Sequence, residues 1–374
     1  MNDKELREIR RRFRPDKNNI LSIKGCLVNG EKTILSRFSQ NLAGSSLEES
    51  EKLLSIMKKA LSGGIGLNLI DLEFSARQTM EGEEHKLLMA LRSSCLKDEN
   101  ALEAFYQKVI SSVHFEGSFA ILLASDNYDV FSYSSDGEKA DSSTLFSYIV
   151  CAVCPIKPSA DGLYFREYDN SFRSLEEHAL LSSPEIGFMF PAFDDRASNI
   201  YGALYYTKDI ANLHGEFISS IFGLEAPMSA AEKKDNFKGC LTETLDDECD
   251  FEVLKSVHGQ IADMVQEHKE SKQPENLVLT RHDLKTVLEY CGIGEEKVER
   301  FTAKFDEEFG ANAEIPPKSI VDVKKFNLET PDVSIKVNPE RTDLVSTQVI
   351  NGVRYILIRA NEGVEVNGVN IEIK

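Results

Sequence analysis

The densest group of chemically capable side chains closes the segment Gly187-Phe-Met-Phe-Pro-Ala-Phe-Asp-Asp-Arg196, where an apolar run meets Pro191 and then presents Asp194, Asp195 and Arg196 together. A carboxylate pair beside a guanidinium at a strand end suits a metal or a polar ligand, because such sites collect at strand termini. The plainer reading is a loop whose charges cap a neighbouring element or pair with each other. Asp126, Asp129, Asp136 and Glu138 are candidate companions at a sheet end, but their spacing lacks the alternating oxygens of a calcium loop.

The second group is cationic. Residues 1–24 hold eight Lys or Arg against four Asp or Glu, in a chain whose net charge is −19. Arg7, Arg10, Arg11, Arg12 and Arg14 are the candidate binding residues, for nucleic acid, for an acidic protein, or for the acidic helices of a second copy. The competing explanation is a solvated helix face whose Leu6, Ile9 and Phe13 pack downward.

Other motifs are incomplete. Gly25-Cys-Leu-Val-Asn-Gly30-Glu-Lys-Thr33 has the outline of a phosphate loop, but Glu31 intrudes where Lys must follow the glycine, and Asn29-Gly30 reads as a hairpin turn. Gly63-Gly64-Ile65-Gly66 follows a helix and lacks the third glycine of a dinucleotide fingerprint. Cys151 and Cys154 lie three apart in a predicted strand, on opposite faces, so neither a disulfide nor shared zinc is expected, and Cys240 and Cys249 are too remote in sequence to complete a compact motif. Ser55-Ile-Met-Lys58 matches a penicillin-binding nucleophile motif without its partners. The histidines, His85, His114, His178, His214, His258, His268 and His282, are never four apart, so no metal ligand set and no cofactor is expected.

These groups need a scaffold, and the chain is long enough for one. It has 374 residues, 41% of them apolar and 28% charged, which excludes a disordered chain. The longest apolar runs, such as Phe119 to Ala124 and Tyr148 to Ile156, fall far short of the roughly 20 residues of a spanning helix, and nothing reads as a secretory leader. Seven scattered cysteines fit reduced thiols and a cytoplasmic location.

Hydrophobic periodicity predicts an N-terminal helix stopped by Pro15, a hairpin from Ile20 to Phe38, a helix capped by Ser46, and helices over Glu83 to Arg92 and Glu99 to Ser112. Four apolar runs, Ser118 to Ser125, Leu145 to Pro155, Ile186 to Phe193 and Ile200 to Thr207, predict central strands covered on both faces. Asp209 is expected to cap a helix closed by Gly223.

Helices with caps at Ser229, Asp250 and Thr280 follow. Residues 225–310 hold 11 basic against 21 acidic residues, so about half of the surplus charge is regional. Lys269 to Asn276 and Ala311 to Lys318 read as linkers. Asn351-Gly352 and Asn367-Gly368 then separate alternating runs and predict antiparallel hairpins. The expected class is α+β, a mixed central sheet with flanking helices, divided at 1–112, 113–224, 225–312 and 313–374 into a basic helix with hairpin and helices, a sheet core, an acidic helical region and a β-hairpin module.

Three stretches carry a resemblance: Glu8-Ile-Arg-Arg-Arg-Phe-Arg-Pro15 leading to Gly25-Cys26; Gly187 to Arg196 with Tyr205-Tyr-Thr-Lys208; and Thr330-Pro-Asp-Val-Ser-Ile-Lys-Val-Asn-Pro-Glu-Arg-Thr-Asp-Leu344. Over essentially its full length the chain resembles the bacterial family DUF4317, which carries no established activity. In layout it is also similar to bacterial nucleoid-associated proteins, through Phe115-Glu-Gly-Ser-Phe-Ala-Ile-Leu-Leu123, Leu204-Tyr-Tyr-Thr-Lys208 and the acidic helices before a terminal β-module. That likeness implies a chromosome-associated role and transfers no binding residue.

The reading that results is a cytoplasmic interaction protein without enzymatic activity, possessing a protein partner or homodimer contact and a nucleic-acid-competent basic start. The alternative is a hydrolase or ligand-binding enzyme built on Asp194, Asp195 and Arg196.

Overall fold

The first helix is specified at its start. Asn2 accepts the backbone N–H groups of Lys4 and Glu5, and the Glu5 carboxylate accepts the Asn2 N–H, a capping box that sets α1 over Asp3–Arg12. A computed structural model describes the chain except residues 134–138, 159–162, 175–178, 272–275, 323–324, 361–362, 367 and 372–374. Asp136, Glu138, His178, Pro274 and Asn367, singled out above, lie outside the described residues.

Two compact units result, Met1–Ser229 and Ala230–Lys374. In the first, α1 is followed by β1 (Ser22–Val28), β2 (Ile34–Asn41), α2 (Leu47–Lys59), β3 (Leu69–Glu73), α3 (Ala76–Glu81), α4 (Glu83–Ser93) and α5 (Glu99–Ser112). Then come β4 (Phe119–Tyr133), β5 (Lys139–Pro158), β6 (Leu163–Arg166), β7 (Ser171–Ser174), β8 (Ala179–Leu181), β9 (Ile186–Phe190), β10 (Ala192–Asp194), β11 (Ala197–Asn199), β12 (Gly202–Thr207) and α6 (Gly215–Phe222).

The main sheet runs β2-β1-β4-β5-β9-β12-β3, with β8 added beside β5. Every pairing along it is antiparallel, which corrects the expectation of a mixed sheet within the α+β class. The reason is connectivity: β1 with β2 and β4 with β5 are direct hairpins, and only parallel neighbours require a crossover helix.

Both faces of the sheet are covered, as its continuous apolar strands require. Along β5, Ile149, Cys151 and Val153 enter a core with Leu91, Phe105, Val109, Phe217 and Phe222 of α4, α5 and α6. Val150, Ala152 and Cys154 point the other way, into a core with Leu6 and Ile9 of α1 and Leu54 and Met57 of α2. At Gly187 a Cβ would stand 2.6 Å from the Ala60 Cβ and 2.8 Å from the Cys151 carbonyl oxygen, so glycine permits the close approach of the α2 terminus to β9.

The turns depart from their sequence signatures in two places. The β1–β2 connection is longer than a two-residue turn: Asn29 accepts the Glu31 and Thr33 N–H groups, and Lys32, not the Asn-Gly pair, takes positive φ. The expected helix from Asp209 starts later, at Gly215, because Asp209 instead accepts the Ala211 N–H in a tight turn.

The second unit holds α7 (Ala230–Leu245), α8 (Phe251–Ser271), α9 (Arg281–Tyr290) and α10 (Glu295–Phe309). Thr280 and Asp283 form the capping box of α9, and Asp250 accepts the Val253 N–H at the start of α8. Val298, Phe301 and Phe305 bury one stripe of α10 against Phe237, Ile261 and Leu288. The stretch expected to be a linker after α10 packs into this core through Ile315, whose backbone pairs with Leu279. Three hairpins follow, β13 (Phe326–Glu329) with β14 (Ser334–Val337), β15 (Val345–Ile350) with β16 (Val353–Ile358), and β17 (Val364–Val366) with β18 (Val369–Ile371). Asn351 and Gly352 both have positive φ, as a primed hairpin turn demands.

The cysteines test this packing. Burial pushes the Cys26 and Cys154 thiols up to about 12 and that of Cys240 up to about 11, and raises that of fully buried Cys151 as well. Alkylation of the native protein with iodoacetamide at pH 8, read by mass spectrometry, is expected to spare these four and to modify them only after unfolding. Rapid native labelling of Cys151 or Cys154 would contradict the two-sided core.

Candidate functional site

The apolar side of α1 fixes the direction of its charges. Leu6, Ile9 and Phe13 are buried against the sheet, so the opposite side faces solvent. A cleft of about 670 Å³ opens there, lined by Lys4, Arg7, Glu8, Arg11, Arg12, Arg14, Lys17, Tyr128 and Arg196. Seven of these carry positive charge and one, Glu8, carries negative charge.

The floor is held by two carboxylate anchors. Arg12 donates from Nε (3.0 Å) and Nη2 (3.3 Å) to Asp126, which also accepts the Tyr148 hydroxyl (2.9 Å) and the Asn19 N–H (2.8 Å). Asp126 is 1% exposed, so this pair is an internal ion pair with its remaining lone pairs satisfied. Burial would lower the Arg12 pKa, but the bonds to Asp126 outweigh it and hold the guanidinium above its ordinary value. Its carbon lies 4.8 Å from the Tyr128 ring centroid, a cation–π contact.

The second anchor is Glu8. It accepts the Tyr128 hydroxyl at 2.5 Å and two N–H groups of Arg196, at 2.9 and 3.2 Å, while Arg196 Nη1 donates to the Phe131 carbonyl. Burial acts to raise the Glu8 pKa, and the Arg196 and Tyr128 hydrogen bonds overcome it and draw it down. Burial and the bond to Glu8 together push the Tyr128 phenol up to about 12.

The rim differs. Arg7, Arg11 and Arg14 are exposed, and none has an ion pair within 4 Å among the described residues. Arg7 Nε donates to the Asp3 carbonyl of the preceding turn, which leaves its terminal nitrogens toward solvent. Lys17 is paired loosely with Asp16, at 3.8 Å.

Of the five arginines proposed from sequence, Arg7, Arg11, Arg12 and Arg14 line the cleft. Arg10 does not: it donates to the Leu61 and Gly63 carbonyls beyond the end of α2. Helical geometry separates them, since Lys4, Arg7 and Arg11 fall on one face and Arg10 on its flank.

The Asp194, Asp195 and Arg196 group divides three ways. Asp195 and Arg196 both have positive φ and form the two-residue turn between β10 and β11. Asp194 accepts from Asn199 (2.7 Å) and lies 2.5 Å from the Met1 α-amino group, which also faces Asp71 at 3.6 Å. Asp195 is exposed, and Arg196 alone enters the cleft. Sequence reasoning did not connect Arg196 with the N-terminal arginines, and it missed Glu8 and Tyr128; the i, i+4 placement of Lys4, Glu8 and Arg12 was the available signal for Glu8. Among the described residues no group of three or more His, Cys, Asp or Glu converges for a metal, and no helix is long and apolar enough to cross a membrane.

Removing one partner of the buried pair leaves the other uncompensated. R12A is therefore expected to lower unfolding free energy by on the order of 3 kcal/mol in urea titration, far more than R11A at the rim, which should change it by under about 0.5 kcal/mol. Equal effects would show that the Asp126 anchor is not structural.

Comparison with known proteins adds one positive result. No curated protein and no solved structure matches, so the layout likeness to nucleoid-associated proteins receives no support from them. The family described as domain of unknown function DUF4317 matches residues 1–369, a span holding α1, the β10–β11 turn and every residue of the cleft, and the chain belongs to that family.

Proposed function

We propose that the chain is a cytoplasmic interaction protein, without enzymatic activity, that captures a phosphate-bearing polyanion in the cleft beside α1. One observation carries the reading: among the described residues, seven cationic side chains against one carboxylate line a single cleft in a chain of net charge −19. Exposed arginines outside any ion pair add little to folding, whereas a focused positive potential attracts and orients an anion. Arginine is suited to this, since its planar fork binds phosphate oxygens in pairs.

The cleft has the volume of a ligand site, within the roughly 300–1,000 Å³ common for them. Its floor guanidiniums are oriented in advance, Arg12 by Asp126 and Arg196 by the Phe131 carbonyl, so little ordering remains on binding. The separation of Asp194 from Asp195 and Arg196 supports binding over hydrolysis, because no acid and base converge on one point there. A nucleic-acid backbone, and with it a chromosome-associated role, is one form of this reading; a small polyphosphate is another.

The test is calorimetric titration of the full chain at 50 mM salt with sodium tripolyphosphate and with a 20-nucleotide single-stranded DNA. Saturable binding of at least one probe is expected, weakened about 100-fold in R7E/R11E and falling with added salt as phosphate contacts predict. No binding of either probe, or unchanged binding by R7E/R11E, would refute the reading.

A further inference from the structure

We infer that the cleft takes a compact polyphosphate group, not an extended nucleic-acid strand, and that Glu8 is the internal anion such a group displaces from Arg196. The inference rests on the polyanion reading and sharpens it.

The charge around the cleft limits the length of its ligand. Beyond the first 24 residues, the first unit holds 16 Lys or Arg against 29 Asp or Glu. Exposed acidic residues also adjoin the lining residues along the chain: Asp3 precedes Lys4, Asp16 precedes Lys17 and Asp195 precedes Arg196. At physiological salt the screening length is about 8 Å, so a phosphate inside the cleft feels mainly the arginines. The next phosphates of a long strand leave it past carboxylates. A group of three or four clustered phosphates gains the attraction without that repulsion.

The spacing of the cations fits a short ligand as well. Arg7 and Arg11 lie one turn apart, about 6 Å along the axis at 1.5 Å per residue. Arg12 and Arg196 supply a floor beneath them, at either side of Tyr128 in their contacts: one over its ring, the other bonded to the same carboxylate as its hydroxyl.

Glu8 already shows what Arg196 binds. Its two oxygens take the Arg196 Nη2 and Nε groups in the forked geometry that guanidinium offers to any oxyanion. It is the sole negative group among the described lining residues, and a phosphate seated on Arg196 replaces a carboxylate already there. Glu8 thus weakens anion binding and sets a threshold of ligand charge: a singly charged anion does not outcompete it, and a polyphosphate does. While Glu8 is exchanged, the Phe131 carbonyl keeps the Arg196 head in place by accepting its Nη1, and the Glu5 carboxylate keeps its backbone in place by accepting its N–H.

Calorimetry at 150 mM salt on the full chain, wild type and E8Q, with sodium tripolyphosphate, ATP and a 20-nucleotide single-stranded DNA, tests this. Tripolyphosphate or ATP is expected to bind at least tenfold tighter than the oligonucleotide, the comparison of those two separating free polyphosphate from a nucleotide, and E8Q is expected to tighten both by about tenfold while its melt stays cooperative. The wild-type ranking is read independently of the variant, so a poorly folded E8Q leaves it decisive. Failure of every probe removes the parent reading; binding in which the oligonucleotide equals or exceeds tripolyphosphate, or in which folded E8Q binds no tighter, overturns this inference alone.

Discussion

The placement of α1 depends on the buried contact between Arg12 and Asp126. The carboxylate sits in β4 with almost no exposure, and it is tolerable there because four donors reach it: two from Arg12, one from Tyr148 and one from the Asn19 backbone. Leu6, Ile9 and Phe13 contribute the apolar attraction, each by roughly 1.5–3 kcal/mol if fully buried, but such attraction is not directional. The ion pair supplies the direction. It fixes the rotation of α1 about its axis, and that rotation decides which arginines look outward.

Once the helix is so fixed, its arginines separate into kinds. Arg10 is consumed by carbonyls beyond α2, and burial lowers its pKa. Arg12 and Arg196 are held by carboxylates and have restricted positions. Arg7, Arg11 and Arg14 have no ion pair among the described residues. Restrained guanidiniums give geometry at small entropic cost, and unrestrained ones give long-range attraction, so the two kinds together are more useful to an anion than seven equivalent cations would be.

Much of the scaffold was readable from residue pattern. Six strands of the central sheet, β1, β2, β4, β5, β9 and β12, the helices of the second unit and the Asn351-Gly352 hairpin follow from periodicity and turn chemistry, which act locally. The opposed directions of Cys151 and Cys154 followed from the two-residue period of a strand. Sheet polarity was not readable, since apolar runs look alike in parallel and antiparallel neighbours. The short strand β3 was also missed: Leu69-Ile-Asp-Leu-Glu73 is too short and too charged to stand out, and it forms because β12 offers an open edge. The basic start of the cleft was legible as composition, whereas its closure by Arg196 is a contact across 188 positions that no local rule encodes.

That contact also accounts for the backbone at its origin. Asp195 and Arg196 occupy left-handed conformations that residues with a Cβ adopt at a cost of order 1–3 kcal/mol each. Asn-Gly would make the same turn at less cost. Glycine at the second position, however, would remove the guanidinium that reaches Glu8 and the Phe131 carbonyl, and with it the link from the β10–β11 turn to α1 and β4. A turn that accepts strain to present an arginine into a cleft already bordered by four others is placed by tertiary contacts, and it brings together two segments, 1–17 and 194–196, that sequence reasoning had assigned to rival sites.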